Sequence, residues 1–90
     1  MTVTNPVRLA EIAILRYLIA HQDARDTLEG IEKWWLPQFR PYALGDIAAA
    51  LRLLEERKLV LVWKSASSKP VYGCGAASAD SLAEYLRTLE

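Results

Sequence analysis

The sequence has little with which to build a covalent or metal-stabilised site. Its 90 residues include one cysteine, Cys74, and one histidine, His21. A single cysteine excludes a disulfide within the chain, and this pair cannot supply the Cys and His ligands of a structural zinc site. A lone thiol is typical of a reducing compartment, so we expect a cytoplasmic protein without metal or cofactor.

The sequence also lacks an excess of charge and a long apolar run. Eleven basic and eleven acidic residues cancel, which is not typical of proteins held to nucleic acid or anionic lipid by net charge. No run approaches the roughly 20 apolar residues of a membrane span, and Met1 is followed by a polar segment unlike a signal peptide. The hydrophobic fraction of 52% predicts one globular domain over residues 1–90.

Capping residues, turn residues and periodicity predict three helices, a hairpin and a last helix. Glu29 is placed to form a capping box with Asp26. The predicted elements are a helix from Asn5-Pro6 to about His21, a polar connector, a helix from Asp26 or Thr27 to about Leu36, a helix from about Pro41, a hairpin of strands Leu59–Trp63 and Val71–Gly75, and a helix capped by Ser78 or Asp80.

The segment ALRLLEERKLV (Ala50–Val60) resembles the third helix and first wing strand of winged-helix proteins, whose DNA-binding members often read Ala-Leu-x-x-Leu-Glu-x-x-Gly-Leu-Val. Lys58 stands where that family usually has a glycine that ends the helix. Together with the order of elements, the resemblance implies a mainly α fold with a small β-hairpin: a winged helix of three helices, a two-stranded wing and a C-terminal helix.

The resemblance implies a transcription regulator that binds double-stranded DNA, with the third helix in the major groove and the wing on phosphate. The residues assigned to these contacts are Arg40, Tyr42, Arg52, Lys64 and Lys69.

The chemistry of the third helix argues against DNA, although the resemblance keeps DNA binding as our first expectation. Its helical spacing predicts a core stripe of Leu44, Ile47, Leu51 and Leu54. The opposite face then carries one cation, Arg52, beside the acidic Asp46 and Glu56. Helices that bind DNA present hydrogen-bond donors to bases and phosphates, and this face has few. The alternative is a winged helix that binds a protein through the row Gly45, Ala49 and Leu53.

The adjacent tryptophans Trp34 and Trp35 are either core residues or a binding anchor. At about 100° per residue on a helix, Trp35 shares one stripe with Leu28 and Ile31 and is predicted to be core. Trp34 flanks that stripe. It either covers the edge of the core or anchors a protein partner, because tryptophan is enriched at interface hot spots.

The first helix is apolar nearly all round, so one of its sides needs a cover. Either the last helix folds back on it within the chain, or the two helices build a symmetric homodimer. The apolar surplus leads us to predict the dimer. Its candidate interface residues are Val7, Ile14, Leu18, Leu82, Tyr85, Leu86 and Leu89.

A catalytic site is not indicated. His21 is predicted to lie against carbonyls at the end of the first helix, and Cys74 has no basic neighbour in sequence that would activate its thiol. The segment GCG (Gly73–Gly75) lacks the following helix and the lysine of a phosphate-binding loop. We therefore expect a non-catalytic protein.

Overall fold

The computed structural model of the protein describes residues 5–36, 42–66, 68–75 and 79–90. Within these ranges the chain is mainly helical with a small antiparallel sheet, which confirms the prediction at that level. The elements are α1 (Pro6–Ala20), β1 (Arg25–Asp26), α2 (Leu28–Gly30), a π-helix that continues α2 (Ile31–Trp35), α3 (Leu44–Glu56), β2 (Val60–Ser65), β3 (Ser68–Cys74) and α4 (Ala79–Leu89).

The first two helices begin at side-chain caps. The Asn5 side-chain oxygen accepts hydrogen bonds from the backbone N–H groups of Val7 and Arg8, and Pro6 occupies the first helical position, as predicted. Thr27 caps α2 by accepting a hydrogen bond from the Gly30 N–H at 3.2 Å. The start of both helices is therefore encoded locally.

The predicted polar connector contains a third strand, β1, which the sequence did not indicate. Arg25 pairs with Gly73 and Asp26 with Tyr72, both in antiparallel register, so the sheet order is β1-β3-β2. The strand has two residues and neither is β-branched or aromatic, so it carries no strand signal of its own. It forms because β3 offers a free edge.

The core face of α3 differs from the predicted stripe at one position. Ile47, Leu51 and Leu54 are buried as predicted, but Leu44 is exposed and Ala50 is buried. Leu44 is the first residue of α3, so its side chain lies at the end of the helix and not over the core. The predicted start at Pro41 lies outside the described residues.

Lys58 ends α3 in the left-handed backbone region, with φ of 62°. The Lys58 N–H donates to the Glu55 carbonyl and the Leu59 N–H to the Leu54 carbonyl, both at 2.9 Å. This pair of bonds is the Schellman motif, in which glycine is the favoured left-handed residue. Lys58 thus adopts the backbone conformation that glycine favours.

We expect Lys58→Gly to raise the free energy of unfolding by about 0.5–1 kcal/mol. Left-handed backbone costs an L-residue about 1–2 kcal/mol, and the greater freedom of glycine in the unfolded chain offsets about 0.5–1 kcal/mol of the gain. Urea denaturation checks the difference. Lys58→Ala is the control, because it removes the same side chain and keeps the strain. Equal stability of the two variants would contradict this account.

The helix α4 packs along α1 within the same chain, which is the folded-back arrangement that the sequence left open. Ile14, Leu18 and Leu82 are fully buried and Leu89 nearly so. The remaining residues of that set, Val7, Tyr85 and Leu86, are partly buried against the core. The surplus apolar side of α1 is thus covered by α4 within the chain, and the homodimer stays a prediction.

Candidate interaction surfaces

The solvent face of α3 presents small, apolar and acidic side chains around one cation. Arg52 is exposed near the centre of this face, and Glu55 and Glu56 are exposed beside it. A side chain at Gly45 would meet nothing within 4 Å. Ala49 is half-buried and Leu53 is exposed, so the predicted row Gly45, Ala49 and Leu53 is accessible along the helix.

The residues assigned to DNA contacts lie in different settings. Tyr42 precedes α3 and is partly buried against the core, so it does not lie on the helix as predicted. Lys69 lies 3.5 Å from the carboxylate of Glu29. The N-cap of α2 is Thr27, so Glu29 is not at the third helical position that the predicted capping box with Asp26 requires. Arg52 and Lys64 are exposed, and Arg40 lies outside the described residues.

The two tryptophans separate as predicted. Trp35 is buried, and Trp34 is 67% exposed, with the Lys33 ammonium 5.1 Å from the centroid of its ring. The predicted bend beside Trp34, residues 37–41, lies outside the described residues, so a partner contact of this ring stays a prediction.

The sheet has one face toward the core and one toward solvent, and the solvent face is also apolar. Val60, Tyr72 and Cys74 pack on the core side, whereas Leu61 and Trp63 on β2 are exposed. An antiparallel sheet with one wet face normally carries polar residues there. The run Leu59–Trp63 is apolar throughout, so its sequence gave no sign of which residues face outward.

A glycine on the middle strand lets the Trp63 ring lie across the sheet. A side chain at Gly73 would place its Cβ 2.9 Å from Cζ3 of Trp63 and 3.1 Å from Cγ of Arg25. The Arg25 guanidinium carbon lies 4.6 Å from the centroid of the Trp63 ring, a cation–π contact. The three strands thus build a surface of Arg25 and Trp63 over Gly73, with Leu61 against Gly75. Sequence reasoning missed this surface because it missed β1.

A buried carboxyl joins α1 to α4. Glu11 is buried, and the Tyr85 hydroxyl donates a hydrogen bond to its Oε2 at 3.2 Å. The Arg57 guanidinium carbon lies 4.5 Å from the centroid of the Tyr85 ring. Burial raises the pKa of Glu11 above its ordinary value of 4.5, and the Tyr85 hydrogen bond and nearby arginines only partly oppose this rise. Burial, followed by the Glu11 charge, also raises the pKa of Tyr85.

We expect Glu11→Gln to gain stability relative to the unchanged protein as pH rises from 4.5 toward 7. A carboxyl with a raised native pKa binds its proton more tightly in the folded state, so its stabilising effect is present below the unfolded pKa and is lost as pH rises through the folded pKa. Glutamine keeps an acceptor for Tyr85 and does not ionise. Urea denaturation across this pH range measures the effect, and parallel pH profiles would refute it.

The single histidine lies at the C-terminal end of α1 and the single cysteine on β3. The His21 ring lies 4.4 Å from the Tyr17 ring, centroid to centroid, and Cys74 is partly buried against the core. No group of three His, Cys, Asp or Glu able to hold a metal occurs among the described residues. Within the same ranges, no helix combines the length and apolarity needed to cross a membrane.

A groove of about 580 Å³ runs along α1 beside the buried tryptophan. Its walls are mostly apolar and aromatic, and they include Tyr17, Trp35 and Tyr42. The Arg16 guanidinium on its rim pairs with the carboxylate of Glu90. The groove therefore suits apolar groups, and its rim cation is already engaged by an acid.

The described residues define a small α/β fold with four helices and a three-stranded antiparallel sheet, whose accessible surface includes several large apolar side chains. No protein-family model matches the chain, and neither a curated protein nor a solved structure is significantly similar to it.

Proposed function

We propose that the protein is a small, non-catalytic module of the winged-helix type. Three helices, a hairpin and a last helix follow one another in the order that this class uses. The left-handed residue between α3 and β2 supports the same class, because it falls where the winged-helix pattern has glycine. Fold class alone does not assign a ligand, so the ligand is argued from the surface.

We propose further that this module binds another protein. The observation that carries the proposal is the set of large apolar side chains that are between 40% and 67% exposed: Trp34, Leu44, Leu53, Leu61 and Trp63. Isolated exposed apolar residues are ordinary. Two exposed tryptophans in 90 residues are a stronger sign, because tryptophan is among the residues most enriched at binding hot spots.

The charge on α3 supports a protein ligand over DNA. Arg52 is accompanied on the exposed part of the helix by Glu55 and Glu56. Carboxylates close to phosphate oxygens repel them, whereas DNA-reading helices present donors to phosphates and base edges. The α3 surface is therefore better suited to an apolar or basic protein surface.

Site-specific photo-crosslinking tests the proposed function. A photoreactive amino acid is placed at Trp34, Leu53 or Leu61 in turn, and at Thr88, an exposed position on α4, as the control. In a lysate of the source cells we expect a discrete protein adduct from at least one of the first three positions and none from Thr88. Nucleic-acid adducts, or the same pattern at all four positions, would reject the proposal.

DNA is the second candidate, because Arg52 and Lys64 are exposed on α3 and on the hairpin. So few cations would neutralise about three to five phosphates per chain, giving a log–log salt dependence of affinity near −3 to −4. Fluorescence anisotropy with random duplex at low salt measures this. Absence of binding at about 100 μM removes this candidate, since non-specific DNA binders respond there at higher salt.

The substitution Ala49→Arg separates the two candidates on the same protein. It adds bulk and positive charge to the accessible face of α3, where Ala49 is half-buried. If α3 binds a protein, the crosslinked adduct at Leu53 is lost and any weak DNA binding is kept or improved. If α3 binds DNA, the added charge strengthens DNA binding and no protein adduct is present to lose.

A further inference from the structure

The outer edge of β2 has backbone groups that no strand among the described residues pairs. β2 is an edge strand in the order β1-β3-β2, and no other described strand pairs with it on its outer side. The Gly75 N–H donates to the Leu59 carbonyl at 2.9 Å. Because hydrogen-bonded pairs alternate along an antiparallel ladder, Leu61 also bonds toward β3, whereas the N–H and C=O of Val62 point away from it.

Apolar side chains stand beside that edge on the solvent face. Leu61 and Trp63 flank Val62 and both project to solvent. Gly73 leaves space for the Trp63 ring, and the Arg25 guanidinium packs against that ring. A strand added next to β2 would place alternate side chains on these two residues, which would supply contacts beyond the backbone hydrogen bonds.

The hairpin is basic although the whole chain is neutral. The two strands and the turn between them, residues 60–74, contain Lys64 and Lys69 and no acidic residue, a formal charge of +2. Both lysines are exposed, and Lys69 pairs with Glu29 of α2. Lys64 lies on β2 itself, so the edge strand carries a positive charge that suits an acidic ligand.

We propose that the outer edge of β2 binds an extended, acidic segment of another protein as an added strand. This inference rests on the proposed protein-binding function and names its partner class. The free groups of Val62 would bond to the backbone of the segment, apolar residues at alternate positions would contact Leu61 and Trp63, and acidic residues would face Lys64.

Two other occupants of this edge match it less well. A second copy of the chain, paired through β2, would bring the Lys64 side chains of two edge strands together, and a lysine on an edge strand is a common device against such self-pairing. Positive charge would also attract a nucleic acid, but a phosphodiester backbone cannot continue the peptide hydrogen-bond ladder at Val62, and one face of the Trp63 ring already holds Arg25.

The substitution Val62→Pro tests the edge directly. Proline removes the one N–H of β2 that points outward at this position, and proline is tolerated on edge strands where that N–H faces solvent. Val62→Ala is the matched control, because it shortens the same side chain and keeps the N–H. The probe is a short, fluorescently labelled peptide in which glutamate and valine alternate, compared with its lysine–valine counterpart.

We expect the acidic peptide to bind the unchanged protein and Val62→Ala, and to lose at least about threefold in affinity with Val62→Pro, the effect of one backbone hydrogen bond. Circular dichroism reports whether each variant is folded. Should Val62→Pro fail to fold, amide exchange on the unchanged protein serves instead, with the Val62 N–H becoming protected when the acidic peptide is bound.

Several outcomes would overturn the inference. These are equal binding of the two peptides, no binding of the acidic one, self-association of the chain through Val62, or binding of single-stranded DNA in place of the acidic peptide. Unchanged affinity of folded Val62→Pro would also overturn it. If one of these outcomes is found while a protein adduct still forms at Trp34 or Leu53 in the crosslinking experiment, only the assignment of the β2 edge is wrong and the protein-binding function stands. If no position yields a protein adduct, the proposed function fails as well.

Discussion

Replacing Trp35 with alanine is expected to lower the free energy of unfolding by about 3–5 kcal/mol, the range for large aromatic residues removed from a core. The side chain is 6% exposed. Its ring stacks on Tyr17 with a centroid separation of 4.9 Å and an angle of 10° between the planes. A domain of this size has about 5–13 kcal/mol of total stability, so the loss would be a large part of it.

The neighbouring tryptophan provides the matched control for this substitution. Trp34→Ala removes the same number of atoms one residue away, but from a side chain that is mostly in solvent. We expect it to change stability by less than about 1 kcal/mol, as for surface substitutions. Chemical denaturation followed by circular dichroism measures both variants. A larger loss for Trp34→Ala than for Trp35→Ala would refute this assignment of the two rings.

The positions of these rings were predictable because they depend on local geometry. A stripe through Leu28, Ile31 and Trp35 needs only the angle per residue of a helix. The caps at Asn5 and Thr27 were equally local, since each side chain bonds to the backbone two or three residues ahead. The π-helix at Ile31–Trp35 was not predicted, because no residue pattern in this segment marks the wider turn.

The strand β1 could not be predicted from its own residues. Arg25 and Asp26 form a strand because Gly73 and Tyr72, far along the chain, lie next to them. The surface around Trp63 depends on the same long-range pairing, since Arg25 reaches the ring only from β1. A sequence pattern predicts which residues are buried, but it does not predict which distant strand a short segment pairs with.

The net charge of the chain does not predict the charge of each surface. A total of zero argues against attraction by net charge, yet the total hides a hairpin that carries two lysines and no acidic residue. The acidic residues that balance it lie on other elements, and one of them, Glu29, pairs with Lys69 across the fold. Partner chemistry therefore follows from the local charge of each surface.

The packing of α4 on α1 was one of two arrangements that the sequence allowed. A dimer and a folded-back helix bury the same apolar stripes, so periodicity cannot separate them. In the structure α4 covers the apolar side of α1 within one chain. Its polar contacts include the hydrogen bond of Tyr85 to Glu11 and the ion pair of Arg16 with Glu90. These polar contacts fix the register in which α4 lies along α1.

We expect Leu18→Asp to prevent folding. Leu18 is fully buried between α1 and its neighbours, and shortening a buried leucine to alanine already costs about 2–5 kcal/mol. An aspartate there would also carry an unpaired carboxylate away from water, a further penalty of several kcal/mol or a forced protonation. The sum is comparable to the about 5–13 kcal/mol that stabilises a chain of this length.

Leu53→Asp is the control that separates folding from assembly. It makes the same change in the helix α3, on a side chain that is exposed, so we expect stability within about 1 kcal/mol of the unchanged protein. Circular dichroism and light scattering measure fold and mass together. If α1 and α4 built a dimer, Leu18→Asp would give a folded monomer of half the mass. Because Leu18 belongs to the core of one chain, we expect an unfolded chain, while Leu53→Asp keeps both its helical signal and its mass.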